Sequence, residues 1–188
     1  MKHKNLFTFG SVTIVVWVLG TFAFIYSYPH LMYNDLKRAM TQGIPINYLY
    51  AAPGLASPST SSSSLLTTGS HELLYVFGLL DLSKGQQVLH VPDMDGRYYS
   101  VQFTDPSDGA NFAYVGTRTT GTQAGDFLIT GPGWKGTVPQ GMQQISSPNN
   151  SVLVVGRALV ESGSDVSTVY DLTKQIHLTP LSLWKPGQ

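Results

Sequence analysis

Between Val88 and Gly136 the chain is a succession of short runs closed by turns, and this stretch leaves few architectures open. Its 49 residues hold three strand-like runs, each followed by residues rich in Gly, Asp or Pro. From Arg97 to Thr104 the alternation is clean. Tyr99, Val101 and Phe103 fall on one face; Tyr98, Ser100 and Gln102 fall on the other. A period of two built from aromatic and β-branched residues marks a half-buried strand. The four residues before it, Asp93 to Gly96, include one that tolerates positive φ, as a hairpin turn requires.

Two runs outside this stretch complete the pattern. Glu72 to Leu82 and Ser151 to Val160 are apolar on both faces, which predicts buried central strands. The chain has 19 Gly and 11 Pro against only 12% charged residues, a balance that favours many turns and an all-β class. One amphipathic helix is expected near the end, where Val166, Val169, Leu172 and Ile176 recur at helical spacing. Ser164 is the expected N-cap and Asp165 lies in the first turn, with Thr179-Pro180 as the stop.

The N-terminus differs in character. Leu6 to Tyr26 runs for 21 residues without a formal charge. As a helix it spans about 31 Å, enough for a hydrocarbon core of about 30 Å. Bulky Phe22, Phe24, Ile25 and Tyr26 occupy the place where a signal peptide needs small residues, so an uncleaved anchor (residues 1–28) is favoured over a processed leader. Lys2 and Lys4 lie closer to the span than Lys37 and Arg38, which places the N-terminus in the cytoplasm and the domain outside. Pro29 to Met40 predicts a short juxtamembrane amphipathic helix. Residues 43–70, richest in Ser and Pro at 53–64, read as a linker or a segment draped over another subunit, so that 29–70 joins the anchor to a β domain at 71–188.

Chemistry is sparse. With 11 basic and 11 acidic residues the net charge is zero, so no field points to nucleic acid. Zero cysteines exclude disulfides and thiolate chemistry. None of the five histidines pairs at the i, i+4 spacing of a helical metal site, and His90, between Leu89 and Val91, meets His71 only through tertiary contact. Asp93-x-Asp95-Gly96 begins like a calcium loop, but position twelve is Thr104, so only a convergence of these acids with Asp105 and Asp108 from adjacent loops would bind a cation. Gly116 to Gly125 is Gly-rich without the Lys-Ser/Thr of a phosphate cradle, leaving Arg118 to bind an anion or pair with Asp126. Arg97, Arg118 and Arg157 are the polar anchors within the β region, each expected either to satisfy a buried acceptor or to line a ligand site. No Gly-x-Ser-x-Gly and no cofactor fingerprint is present.

The strings DLSKGQQVLHVPDMDGRYYSVQFTD and NFAYVGTRTTGTQAGDFLITGPGWKGTVPQG, then RALV and QIHLTPLS, resemble the bacterial domain-of-unknown-function family 1254. The likeness runs from about Leu73 to Ser182, with a weaker echo at Tyr26 to Met32. It implies an all-β, jelly-roll-like sandwich, often followed by a second β domain that has no counterpart before Gln188. The family's Pro-Asn-x-Asp-Thr-Leu-Tyr-Ser run reads here Gly69 to Val76, where only Leu74 and Tyr75 are kept and Glu72 replaces the Asp. The resemblance thus implies that the family's polar Thr and Ser in this run, candidates for a site, are replaced by apolar Leu73 and Val76 here. The expectation is therefore a non-catalytic accessory subunit, single-pass in a bacterial inner membrane with a periplasmic sandwich, docked on a larger membrane complex such as a respiratory or photosynthetic one. The alternative is a periplasmic binding module or hydrolase for a small or sugar-like ligand, its pocket lined by Arg97, Arg118, His90 or the loop residues Asp105 and Asp108.

Overall fold

The computed structural model describes residues 2–55, 70 and 72–186. The chain divides into two units, Met1–Arg38 and Ala39–Gln188. Most of the Ser/Pro-rich part of the expected linker lies outside the described residues, as does His71.

The first unit is built on helix α1, Lys2–Thr41. Within it Val12–Asp35 is long and apolar enough to cross a membrane by length and composition. Every residue from Val12 to Tyr28 is exposed, including Trp17 at 74% and Phe22 at 67%. The Thr21 hydroxyl donates to the Trp17 carbonyl at 2.8 Å, which satisfies this polar group inside the apolar run. Residues 29–40 do not form a separate juxtamembrane helix: α1 continues through Pro29 at the cost of one intrahelical hydrogen bond, since proline has no N–H to give.

The second unit pairs two sheets. The first has the order β1 (Tyr50–Ala51), β2 (Leu73–Asp81), β8 (Ser151–Leu159), β4 (Tyr99–Thr104), β5 (Asn111–Gly116). The second has the order β7 (Gln143–Ser146), β6 (Gly125–Thr130), β3 (Gln87–Val91), β9 (His177–Pro180). All pairings are antiparallel except β6 with β7. Helix α2 (Val166–Gln175) follows a 3₁₀ turn at Gly163–Asp165.

The core lies between the sheets. Leu74, Val76 and Leu80 of β2, Val152 and Val154 of β8 and Tyr99, Val101 and Phe103 of β4 face Leu89, Val91, Phe127, Ile129 and Ile145 from the second sheet. The alternation in β4 thus points its aromatic and β-branched face inward. In β8 the apolar residues are unequal: Val152, Val154 and Ala158 are buried, whereas Leu153, Val155 and Leu159 are half-buried on the outer face. Gly78 admits a close approach at the edge of β2, because a Cβ there would stand 2.2 Å from the Tyr48 carbonyl oxygen. That gap lets Leu49 enter the core and lets Asn47 bond the Leu79 carbonyl through its N–H at 2.9 Å.

Three local expectations change. Asp95 and Gly96 both have positive φ, as the turn chemistry requires, but β3 and β4 belong to different sheets. The turn is a crossing between sheets and not a hairpin. Ser164 does not cap α2: it lies in the 3₁₀ turn, and its hydroxyl pairs with Ser162 at 2.9 Å. Thr179-Pro180 does not end the helix either. The helix stops at Gln175, and His177–Pro180 forms β9 against β3.

Candidate functional site

On the outer face of the second sheet, register sets three polar side chains in one row. Asp126 of β6 stands opposite His90 of β3, and His90 stands opposite His177 of β9. His90 Nδ1 lies 2.7 Å from Asp126 Oδ1. An ionised carboxylate only accepts, so the ring carries its proton on Nδ1. His177 Nδ1 lies 2.7 Å from the Gln175 carbonyl, which fixes the same tautomer. The two rings have centroids 5.0 Å apart.

A fourth residue closes the row. The turn after β9, held by the Leu183 and Trp184 N–H groups on the Pro180 carbonyl, returns the chain over this face. There Trp184 Nε1–H donates to Asp126 Oδ2 at 3.0 Å. Beside the row Val88 and Leu128 form the next outward-facing pair and are fully buried. The Asp126 and His90 side chains keep 23% and 27% of their exposure, so the dyad is sheltered yet open to solvent.

The other candidates do not converge on this row. Arg97 donates to both oxygens of Asp165, at 2.6 and 3.1 Å, and to the Leu159 carbonyl at 3.1 Å. It pins the start of β4 to the turn that launches α2. The Asp165 carboxyl sits below its ordinary range, first because the Glu161 backbone N–H donates to it, and further through Arg97, against a smaller opposing effect of burial. Asp105 is 5% exposed and is equally committed. Burial pushes its carboxyl up, but the hydroxyl and N–H of Ser107 and the amide of Asn149 outweigh that and hold it below the usual value. This clamp joins the β4–β5 turn to the segment before β8. Asp108 accepts from the Ala110 N–H at 2.8 Å and shapes the same turn. Asp93 does likewise for Asp95. Among the described residues no three His, Asp or Glu side chains are arranged to hold a metal ion.

Arg118 lies on the first sheet's outer side, apart from Asp126. Its guanidinium stacks 5.5 Å from the Tyr98 ring centroid, beside a cleft of about 360 Å³ lined by Tyr98, Ser100, Tyr114 and Gly116. Arg157 donates to Gln102 at 3.1 Å and lies 6.0 Å from the Tyr75 ring centroid. The expected pairing of Arg118 with Asp126 is therefore replaced by His90 and Trp184. Neither His177 nor Trp184 was marked as a site residue by local pattern; only the β3–β9 pairing brings them in.

Comparison with known proteins agrees with this architecture. The family model described as "Protein of unknown function (DUF1254)" matches residues 39–180. Among solved structures, the VPA0106 protein from Vibrio parahaemolyticus aligns with a TM-score of 0.67 at 24% identity, over 88% of this chain and 40% of its own. An uncharacterized protein from Burkholderia cenocepacia aligns with a TM-score of 0.47 at 12% identity, over 81% of this chain and 39% of its own. This chain thus spans about two-fifths of the length of those proteins. No curated protein matches the sequence. Its two-sheet unit has the fold of the Vibrio protein, and the chain belongs to the family of proteins of unknown function DUF1254.

Proposed function

We propose that this protein is a non-catalytic, membrane-anchored accessory subunit that docks on a larger membrane protein complex. The observation that carries the reading is α1, whose residues from Val12 to Tyr28 are all exposed although the run is apolar. Such a surface is stable only in lipid or against apolar partners. The committed state of Arg97 and Asp105 supports the non-catalytic part, because both are spent on holding loops to the sandwich. In this proposal the span is single-pass in a bacterial inner membrane, the N-terminus is cytoplasmic and the sandwich is periplasmic. A respiratory or photosynthetic assembly is the kind of host. The sandwich is a jelly-roll derivative whose winding departs from full antiparallel pairing at β6–β7.

The test is extraction of the native protein in mild detergent, size separation and identification of what travels with it. Co-migration with a large complex at fixed stoichiometry is expected. Elution alone in its micelle overturns the accessory role. A second reading, a small-ligand module, rests on the Arg118 cleft, where an exposed guanidinium and three tyrosines (Tyr98, Tyr99, Tyr114) border the space. Under it, a small anionic aromatic ligand binds the isolated protein and an Arg118→Ala variant does not bind.

A further inference from the structure

We propose that His90 and His177 form a two-imidazole site for a borderline divalent cation of the zinc type. The argument begins with what is already used on each ring. His90 spends Nδ1–H on the Asp126 carboxylate, and His177 spends Nδ1–H on the Gln175 carbonyl. A neutral imidazole so held presents the Nε2 lone pair as its free donor atom. This is the arrangement in which metal-bound histidines occur: one nitrogen on the ion, the other donating to a carboxylate or backbone carbonyl that fixes the ring and raises its basicity.

Position supplies the second part. The two residues are directly opposite on antiparallel strands, and their ring centroids stand 5.0 Å apart. Two zinc–nitrogen bonds of about 2.1 Å at a tetrahedral angle need nitrogens about 3.4 Å apart, a separation compatible with rings whose centroids stand 5.0 Å apart. Asp126 is itself held from its far side by Trp184, so the His90 ring is steadied through two hydrogen bonds in series. His177 is exposed, which gives the ion a route in.

The protein's share is two donors. Among the described residues no third His, Asp or Glu completes a cluster, so the remaining coordination positions belong to water or to an added ligand. Imidazole donors select zinc, copper or nickel over magnesium or calcium, which prefer oxygen. The site is independent of the docking role.

The experiment uses the full chain in detergent, stripped with a chelator and dialysed against Zn²⁺ alone. Zinc is the probe because imidazole donors suit it and it has no redox chemistry of its own. One Zn²⁺ per chain is expected, with the imidazole Nε2 NMR signals of His90 and His177 shifted on addition. His177→Ala is expected to weaken binding about ten-fold or more, and Asp126→Ala by a similar factor through loss of ring orientation. His3→Ala and His71→Ala are expected to bind as the parent does. The proposal is overturned if the parent binds no zinc, or if zinc binding survives His177→Ala unchanged. If His90→Ala fails to fold, the exposed His177 variant decides alone.

Discussion

Trp184 and Asp126 are joined across the width of a strand: the indole Nε1–H reaches Asp126 Oδ2 at 3.0 Å while Oδ1 holds His90. Each carboxylate oxygen therefore holds one donor from the protein, and the turn after β9 is fastened to the sheet. Trp184→Phe keeps an aromatic ring, though a smaller one, and removes the donor. For a hydrogen bond to a partly exposed carboxylate the expected loss is about 1 kcal/mol. Thermal unfolding of the second unit, followed by its β-sheet circular dichroism, is expected to fall by roughly 3 °C. An unchanged melting temperature removes the bond from any structural role.

Asp105→Ala strands the Ser107 N–H and the Asn149 amide that it now binds. Ser107 and Asn149 are themselves exposed, so water takes over part of what the carboxylate accepted, and a loss of about 1 kcal/mol is expected in urea titration of the full chain in detergent. A variant as stable as the parent contradicts the clamp.

Acid should act through the same group. The carboxyls of Asp105 and Asp165 lie below their ordinary value of 3.8 in the folded chain. A lowered folded pKa means that the unfolded chain takes up protons first as pH falls. The stabilisation is thus complete above about 3.8 and drains away as pH drops through the lower folded values. Melting temperatures of the parent are expected to hold from neutrality to about pH 5 and drop below pH 4, with a shallower slope in Asp105→Ala. Identical slopes in the two proteins refute the assignment.

Arg97→Met removes the fork that grips Asp165 and the Leu159 carbonyl. The turn into α2 should loosen, with faster amide exchange at Glu161 and Asp165 and a melting temperature lower by about 5 °C. Pairing it with Asp165→Asn should cost less than the sum of the two single changes, since both weaken the Arg97–Asp165 contact. Full additivity shows that the two residues act separately.

Gly78→Ala drives a methyl group to within 2.2 Å of the Tyr48 carbonyl oxygen. The segment carrying Leu49 must lift from the core, an overpacking cost of about 1–3 kcal/mol. Proteolysis between residues 42 and 52 is expected to accelerate, and protection equal to the parent's argues against this contact.

Much of the sandwich was legible from residue pattern because burial imposes a period of two on half-exposed strands. Tyr99, Val101 and Phe103 are buried where alternation places them. β9 was hidden because Thr179-Pro180 is chemically a helix stop, and the same residues serve equally at the end of an edge strand. The Asp95-Gly96 turn fixes two dihedrals but says nothing about which sheet the next strand joins. The site was less legible still. His90 acquires its neighbours from β6 and β9, which enter the sheet only through long-range pairing. Arg97 and Asp105 stood out as scarce polar groups, and the sequence alone could not distinguish a clamp from a ligand contact.

The place of β8 in the first sheet has a consequence for biosynthesis. β8 lies between β2 and β4, and both of those strands leave the ribosome before it does. Until Ser151 to Leu159 has been made, β2 and β4 each lack the neighbour that fills one edge, and the inner faces of Val76 and Phe103 have no closed core. Long-range pairing of this kind folds slowly and leaves sticky edges exposed in the meantime. The nascent chain thus carries two unpaired central edges until its last central strand arrives.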